Sequence, residues 1–144
     1  MHQRLLEAAN GSRKFVLVLE PGEEAFASIT GFATEMGLLG SSLTAIGAFS
    51  RAELGWFNPA TKEFVKNVVD EQTEVISMMG NITEEHGKAH LHAHVVLGTR
   101  NASAKGGHLV AGWVSPTLEV IIEEAPEHMK RGKDRKSGLI LLKP

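Results

Sequence analysis

Ala89-His90-Leu91-His92-Ala93-His94-Val95-Val96-Leu97-Gly98 is the stretch whose pattern decides the fold. Through most of it apolar and polar side chains alternate with a period of two, which predicts a half-buried β-strand. Leu91, Ala93, Val95 and Leu97 fall on one face and form a candidate core stripe, while His90, His92 and His94 share the other. Beyond a loop spanning Thr99 to Gly106, the chain returns with His108. A turn centred near Asn101 makes His94 and His108 cross-strand partners on the same face. A half-step shift of register turns His108 to the opposite face instead.

Outward from this hairpin the pattern stays mostly β. Lys14 to Glu20 (KFVLVLE) is a nearly continuous apolar run, as in a strand buried on both faces. Pro21-Gly22 ends it, and the period then changes: Phe26, Ile29, Phe32, Ala33 and Met36 recur at helical spacing. This predicts a helix over Glu23 to Met36, with Glu23 and Glu24 in its first turn and Gly37 as its stop. Ser42 to Phe49 and Arg51 to Phe57 are expected as strands. The turn Asn58-Pro59-Ala60-Thr61 leads to a hairpin partner at Glu63 to Val69. Further strands are expected at Thr73 to Ile82, His108 to Val114, Leu118 to Ile122 beyond an interruption at Pro116, and Leu139 to Leu142. One helix after the first strand, followed by serial antiparallel strands, predicts an α+β fold in a single compact domain. Its core spans about 14–124, and the polar segment 125–138 is expected to be a basic surface loop.

The 144-residue length suits one domain with one core, and the sequence contains no cysteine, which removes disulfide and thiolate chemistry and points to the cytoplasm, or the nucleus where the source has one. No apolar window approaches the ~18 residues needed to cross a bilayer, so no membrane partner is expected. Met1 to Arg13 lacks the apolar stretch of a signal peptide. The formal net charge of −2 runs against a protein that holds nucleic acid mainly by neutralising phosphates.

Five of the seven histidines lie between His86 and His108. Two imidazoles at i, i+2 on a strand and a third across the ladder can converge on one ion at ~2.0–2.1 Å each, leaving a position open for water or a carboxylate. His92, His94 and His108 are therefore candidate metal ligands. Zinc is the first expectation, although imidazole also suits copper, iron and nickel. The alternative is a row of half-exposed polar residues, but clustered imidazoles gain nothing from packing. His90 is a fourth candidate or a rim residue.

HAHVVLG (His92 to Gly98), GGHL (Gly106 to Leu109) and TLEVII (Thr117 to Ile122) together resemble the plant and prokaryote conserved (PPC) domain family. FVLVLEPGEE (Phe15 to Glu24), SSLTAIGAFSRAELGWF (Ser41 to Phe57) and TEVISMMGNI (Thr73 to Ile82) extend the resemblance in collinear order over Phe15 to Glu123. It implies a compact α+β fold, a homotrimer, and in prokaryotic members a zinc-type site. Carried over, the ligands are His92, His94 and His108. A frame starting at His90 is a rival, and Val95-Val96-Leu97-Gly98 favours the later pair. Glu74, Asn81 and Glu119 match polar positions of the family, either orienting imidazoles or binding a small ligand beside the metal. For Glu119 the alternative is an outward-facing charge.

The resemblance also implies DNA as a partner. However, the chain has no Arg-Gly-Arg-Pro core of the kind that reads the minor groove in the plant proteins. The nearest feature is the basic run Lys130, Arg131, Lys133, Arg135 and Lys136. It is either a phosphate contact, presented three times in a trimer, or a solvated loop balancing Glu123, Glu124 and Glu127. The competing function is a zinc-dependent metalloenzyme acting on a small molecule, with Glu74 or Glu119 as general base. The sequence leans away from an enzyme. No Gly-x-Ser-x-Gly elbow, P-loop or dinucleotide fingerprint occurs, and the residues after the histidine pair lack the glutamate of a cupin-like oxygenase.

Overall fold

In the computed structural model of the chain, which describes residues 1–143, β1 (His2–Ala9) and β2 (Ser12–Leu19) form an antiparallel hairpin. They are joined through Asn10 and Gly11, both at positive φ, as a two-residue turn of Asn-Gly type requires. β2 buries Phe15, Leu17 and Leu19 on one face only, with Val16 and Val18 half-buried on the other. The expectation of a strand buried on both faces is therefore corrected to one buried face.

Helix α1 (Ala25–Glu35) follows, shorter than the predicted span. Glu24 is its N-cap, accepting from the backbone N–H groups of Phe26 at 2.9 Å and Ala27 at 2.7 Å. The same carboxylate accepts from Gly112 N–H at 2.9 Å, tying the start of the helix to the sheet. Ala25, Ile29, Phe32 and Ala33 face the core, where Phe32 meets Phe15 edge-on with ring centroids 5.2 Å apart. Gly37, at φ 66°, ends the helical stretch.

The remaining elements are β3 (Gly40–Asn58), β4 (Glu63–Val69), β5 (Thr73–Glu85), β6 (Lys88–Gly98), β7 (Ala104–Glu124), β8 (Lys130–Lys133) and β9 (Ile140–Lys143). β3 pairs with β5 through its first half, with β4 through its second half, and with β7 along most of its length. β6 bridges β5 and β7, so β3, β5, β6 and β7 form a closed ring of pairings around the core. β2 and then β1 extend the sheet beyond β7.

Two predicted breaks are spanned by continuous strands. Ser42 to Phe49 and Arg51 to Phe57 are parts of β3, and Pro116 lies within β7. The β3–β7 register shifts between Gly47 and Phe49, leaving Ser115, Pro116 and Thr117 outside the pairing there. A proline, which cannot donate to a ladder, is tolerated at such an irregularity. Gly47, at φ 151°, passes so close to the backbone of Thr117 that a Cβ would collide with it.

The segment expected as a loop carries β8. It begins beside the start of β3, with Met129 N–H donating to Leu39 O and Glu84 N–H donating to Met129 O. β8 thus joins β5 at the Glu84–Lys130 pair, parallel to it, and β9 folds back antiparallel to β8.

Candidate metal centre

Strand alternation places the site. Leu91, Ala93, Val95 and Leu97 are buried in the core, so His90, His92 and His94 stand on the outer face of β6. The loop between β6 and β7 sets His94 directly opposite His108. The register left open by the sequence is therefore the one that brings the third histidine onto the same face. The ring centroids of His92 and His108 are 5.1 Å apart, those of His92 and His94 5.2 Å, and those of His94 and His108 5.6 Å. One ring nitrogen from each of the three lies within 4.8 Å of the others.

The donor set fits a divalent ion. A tetrahedral site with ligands at ~2.0–2.1 Å sets them about 3.4 Å apart, a closing that side-chain rotation can supply. Burial first, then the charge of Arg131 and those of the other histidines, lowers His92 to about 4. Burial likewise lowers His108, with His94, His90 and Arg131 adding to it. Both imidazoles are thus held in the neutral form that coordinates metal.

β5 supplies the neighbouring column. Asn81 stands opposite His92, Thr83 opposite His90, and Met79 opposite His94. Arg131, half-buried on β8, lies over this column. Its Nε donates to Thr83 Oγ1 at 2.7 Å, one terminal nitrogen donates to Asn81 Oδ1 at 2.8 Å, and the other donates to Ile140 O at 3.1 Å. Asn81 therefore holds an arginine beside the imidazoles. His90 Nδ1 lies 2.7 Å from Glu85 Oε2, which directs that imidazole to a carboxylate. Phe64 of β4 packs on His108 with centroids 5.4 Å apart.

Glu74 and Glu119 are placed elsewhere. Glu74 pairs with Gly98 at the far end of the β5–β6 ladder, about 20 Å along β5 from Asn81. Glu119, exposed on β7, lies opposite Ile46 and Val18 and shares a groove with Glu74, Ile46 and Ile76. In the basic run, Lys130, Lys133, Arg135 and Lys136 are exposed. The acidic residues before it are largely engaged with other partners. Glu124 accepts two bonds from Arg13, at 2.6 and 2.7 Å, and Glu123 pairs with Lys14.

Thr83, Glu85 and Phe64 are further residues of the site, outside those that the sequence motifs single out. Thr83 had a signal, since it alternates with Asn81 on a strand that runs antiparallel to the histidines. The approach of Arg131 had none, because it depends on where β8 docks.

The model of the plants and prokaryotes conserved (PCC) domain matches residues 6–126. The chain belongs to this family. Several solved structures share the PCC fold with it. A metal-containing protein from Archaeoglobus fulgidus is 32% identical, with 91% of this chain and 93% of that one covered at a TM-score of 0.84. A protein from Bacteroides thetaiotaomicron, provisionally described as DNA-binding, is 27% identical, covering 98% and 96% at a TM-score of 0.90. A PPC protein from Pyrococcus horikoshii is 28% identical, covering 99% and 95% at a TM-score of 0.85. No curated protein matches the chain in sequence. Among the described residues of this PCC chain, no helix is long and apolar enough to cross a membrane.

Proposed function

We propose that the chain is a metal-binding module that holds a divalent ion, zinc before others, on His92, His94 and His108. The observation that carries this is the convergence of three imidazole nitrogens from two strands within 4.8 Å. Three imidazoles with no thiolate suit zinc and leave a coordination position open. The metal-containing relative from Archaeoglobus fulgidus supports the same reading. When bound, the ion would act as a Lewis acid towards whatever fills the open position.

The module works as a homotrimer. Ile46, Ile76 and Met79, each more than half exposed, line one groove on the outer face of the sheet. Apolar surface of this kind marks an interaction site, and self-association covers it. DNA is the macromolecular partner that the descriptions of relatives suggest. Lys130, Lys133, Arg135 and Lys136 would supply phosphate contacts from the β8–β9 hairpin in the cytoplasm, whereas Arg131 is turned towards the histidines. The second reading, a metalloenzyme acting on a small molecule, is favoured by that arginine.

The deciding experiment is elemental analysis of protein purified without chelator, beside a His92→Ala/His94→Ala double variant. Near-stoichiometric zinc in the parent and little in the variant is the expected result. No metal in either, even after zinc is added back, overturns the reading.

A further inference from the structure

Arg131 differs from the other partly buried arginines of this chain in its partners. Arg13 binds the carboxylate of Glu124, and Arg51 that of Glu53. Among the described residues, Arg131 has no carboxylate within 4.0 Å, and all three of its bonds go to neutral oxygens. A guanidinium carries five N–H donors, so two remain without a protein acceptor. Half-buried, this charge has lost part of its water and meets the carboxylate of Glu85 only beyond 4.0 Å, so a bound anion would complete its set of partners.

The cation is also held in place. Thr83 and Asn81 fix it from β5, and the Ile140 carbonyl fixes it from β9. Asn81 is the cross-strand partner of His92, so the guanidinium is bound one residue pair from a metal ligand. Building on the metal reading above, we propose that Arg131 and the three-histidine centre form one composite site for a small carboxylate-bearing molecule. One carboxylate oxygen occupies the open metal position, and the free N–H groups of Arg131 bind the carboxylate.

Charge selects among oxyanions. Guanidinium matches carboxylate and phosphate geometry alike. Glu85, bound to His90, adds negative charge at the same end of the site. A singly charged carboxylate therefore fits better than a doubly charged phosphate. In this arrangement Arg131 is a binding residue of the centre, and the exposed lysines of the same hairpin have no part in it.

The test uses the full chain loaded with cobalt(II), whose visible absorption reports on the coordination sphere, titrated with sodium acetate and separately with sodium phosphate. Stoichiometric cobalt uptake and a saturable spectral change with acetate are expected. The change weakens about tenfold or more in Arg131→Met, which still takes up stoichiometric cobalt. Asn81→Asp, which places a carboxylate on Arg131 from within, is expected to lose acetate in the same way while retaining cobalt. It decides the matter if Arg131→Met fails to fold. Equal acetate affinity in the parent and the folded variants overturns the inference and leaves the metal centre standing. Tighter binding of phosphate overturns the carboxylate assignment. Failure of the parent to take up cobalt or zinc overturns the metal reading itself and this inference with it.

Discussion

His94 and His108 stand directly opposite each other across the β6–β7 ladder, so the third histidine of the proposed centre is set by a strand register. His108 is half-buried and outside the core cluster. His108→Ala should therefore lower zinc affinity by roughly 100-fold or more, as losing one of three protein ligands would, with little change in fold. Competition against a chromophoric chelator measures the affinity, and circular dichroism checks the fold. Unchanged affinity would remove His108 from the ligand set.

Gly80 lies between the rungs that carry His92 and His94 and pairs with Ala93. A Cβ there would collide with the His92 carbonyl and lie 3.0 Å from the Cα and Cβ of Ala93. Gly80→Ala should push β6 away from β5, lowering stability by about 1–3 kcal/mol and weakening metal binding together. Urea denaturation and zinc titration on the same preparation test whether the two losses coincide.

Glu24 joins helix α1 to β7 through its bonds to Phe26, Ala27 and Gly112. Glu24→Ala removes a cap and leaves the Gly112 N–H without its partner, and should cost about 1–3 kcal/mol. The proposed metal centre, on the outer face of the sheet, should bind zinc as before. A denaturation midpoint equal to that of the parent would contradict the account.

In metal-free protein the lowered pKa of His92 links stability to pH. Burial, followed by the charge of Arg131, takes it from the ordinary 6.5 to about 4. Between these two values the unfolded chain binds more protons than the folded one, so stability rises with pH across that window. On acidification this contribution falls away from about pH 6.5 to about pH 4, and it changes no further below that. Denaturation of chelator-treated protein at pH 7, 6 and 5 should show a slope that His92→Gln reduces.

Ile76 and Met79 project from the outer face of β5, 58% and 63% exposed. A charge at Ile76, as in Ile76→Asp, should dissociate the proposed trimer into smaller species without unfolding the subunit. Multi-angle light scattering reads the mass directly. A parent protein that is already monomeric would remove the assembly from the proposal.

Much of this protein was determined by local pattern. Alternation alone assigned Leu91, Ala93, Val95 and Leu97 to the core and the histidines to the opposite face, because successive strand residues point to opposite sides. The helical spacing from Phe26 to Met36 located α1, and the ordered motifs identified the family. β1 is marked in the sequence only by the hairpin signal Asn10-Gly11, because all eight of its residues are exposed and show no clear apolar alternation. The continuity of β3 and β7 was also hidden, since glycine and proline look like breaks until a partner strand shows that the ladder resumes beyond them.

Tertiary structure decided everything that depends on contacts between residues distant in sequence. Whether His108 met His94 rested on the register of a loop, and one step of slip would have turned it away. Arg131 belonged to a run of basic residues with nothing local to distinguish it from Lys130 or Lys133. Only the docking of β8 against the end of β5 brings its guanidinium to Thr83 and Asn81, roughly fifty residues earlier in the chain. Conversely, Glu74 and Glu119 were plausible partners of the imidazoles in sequence, and strand pairing carried them to another part of the sheet.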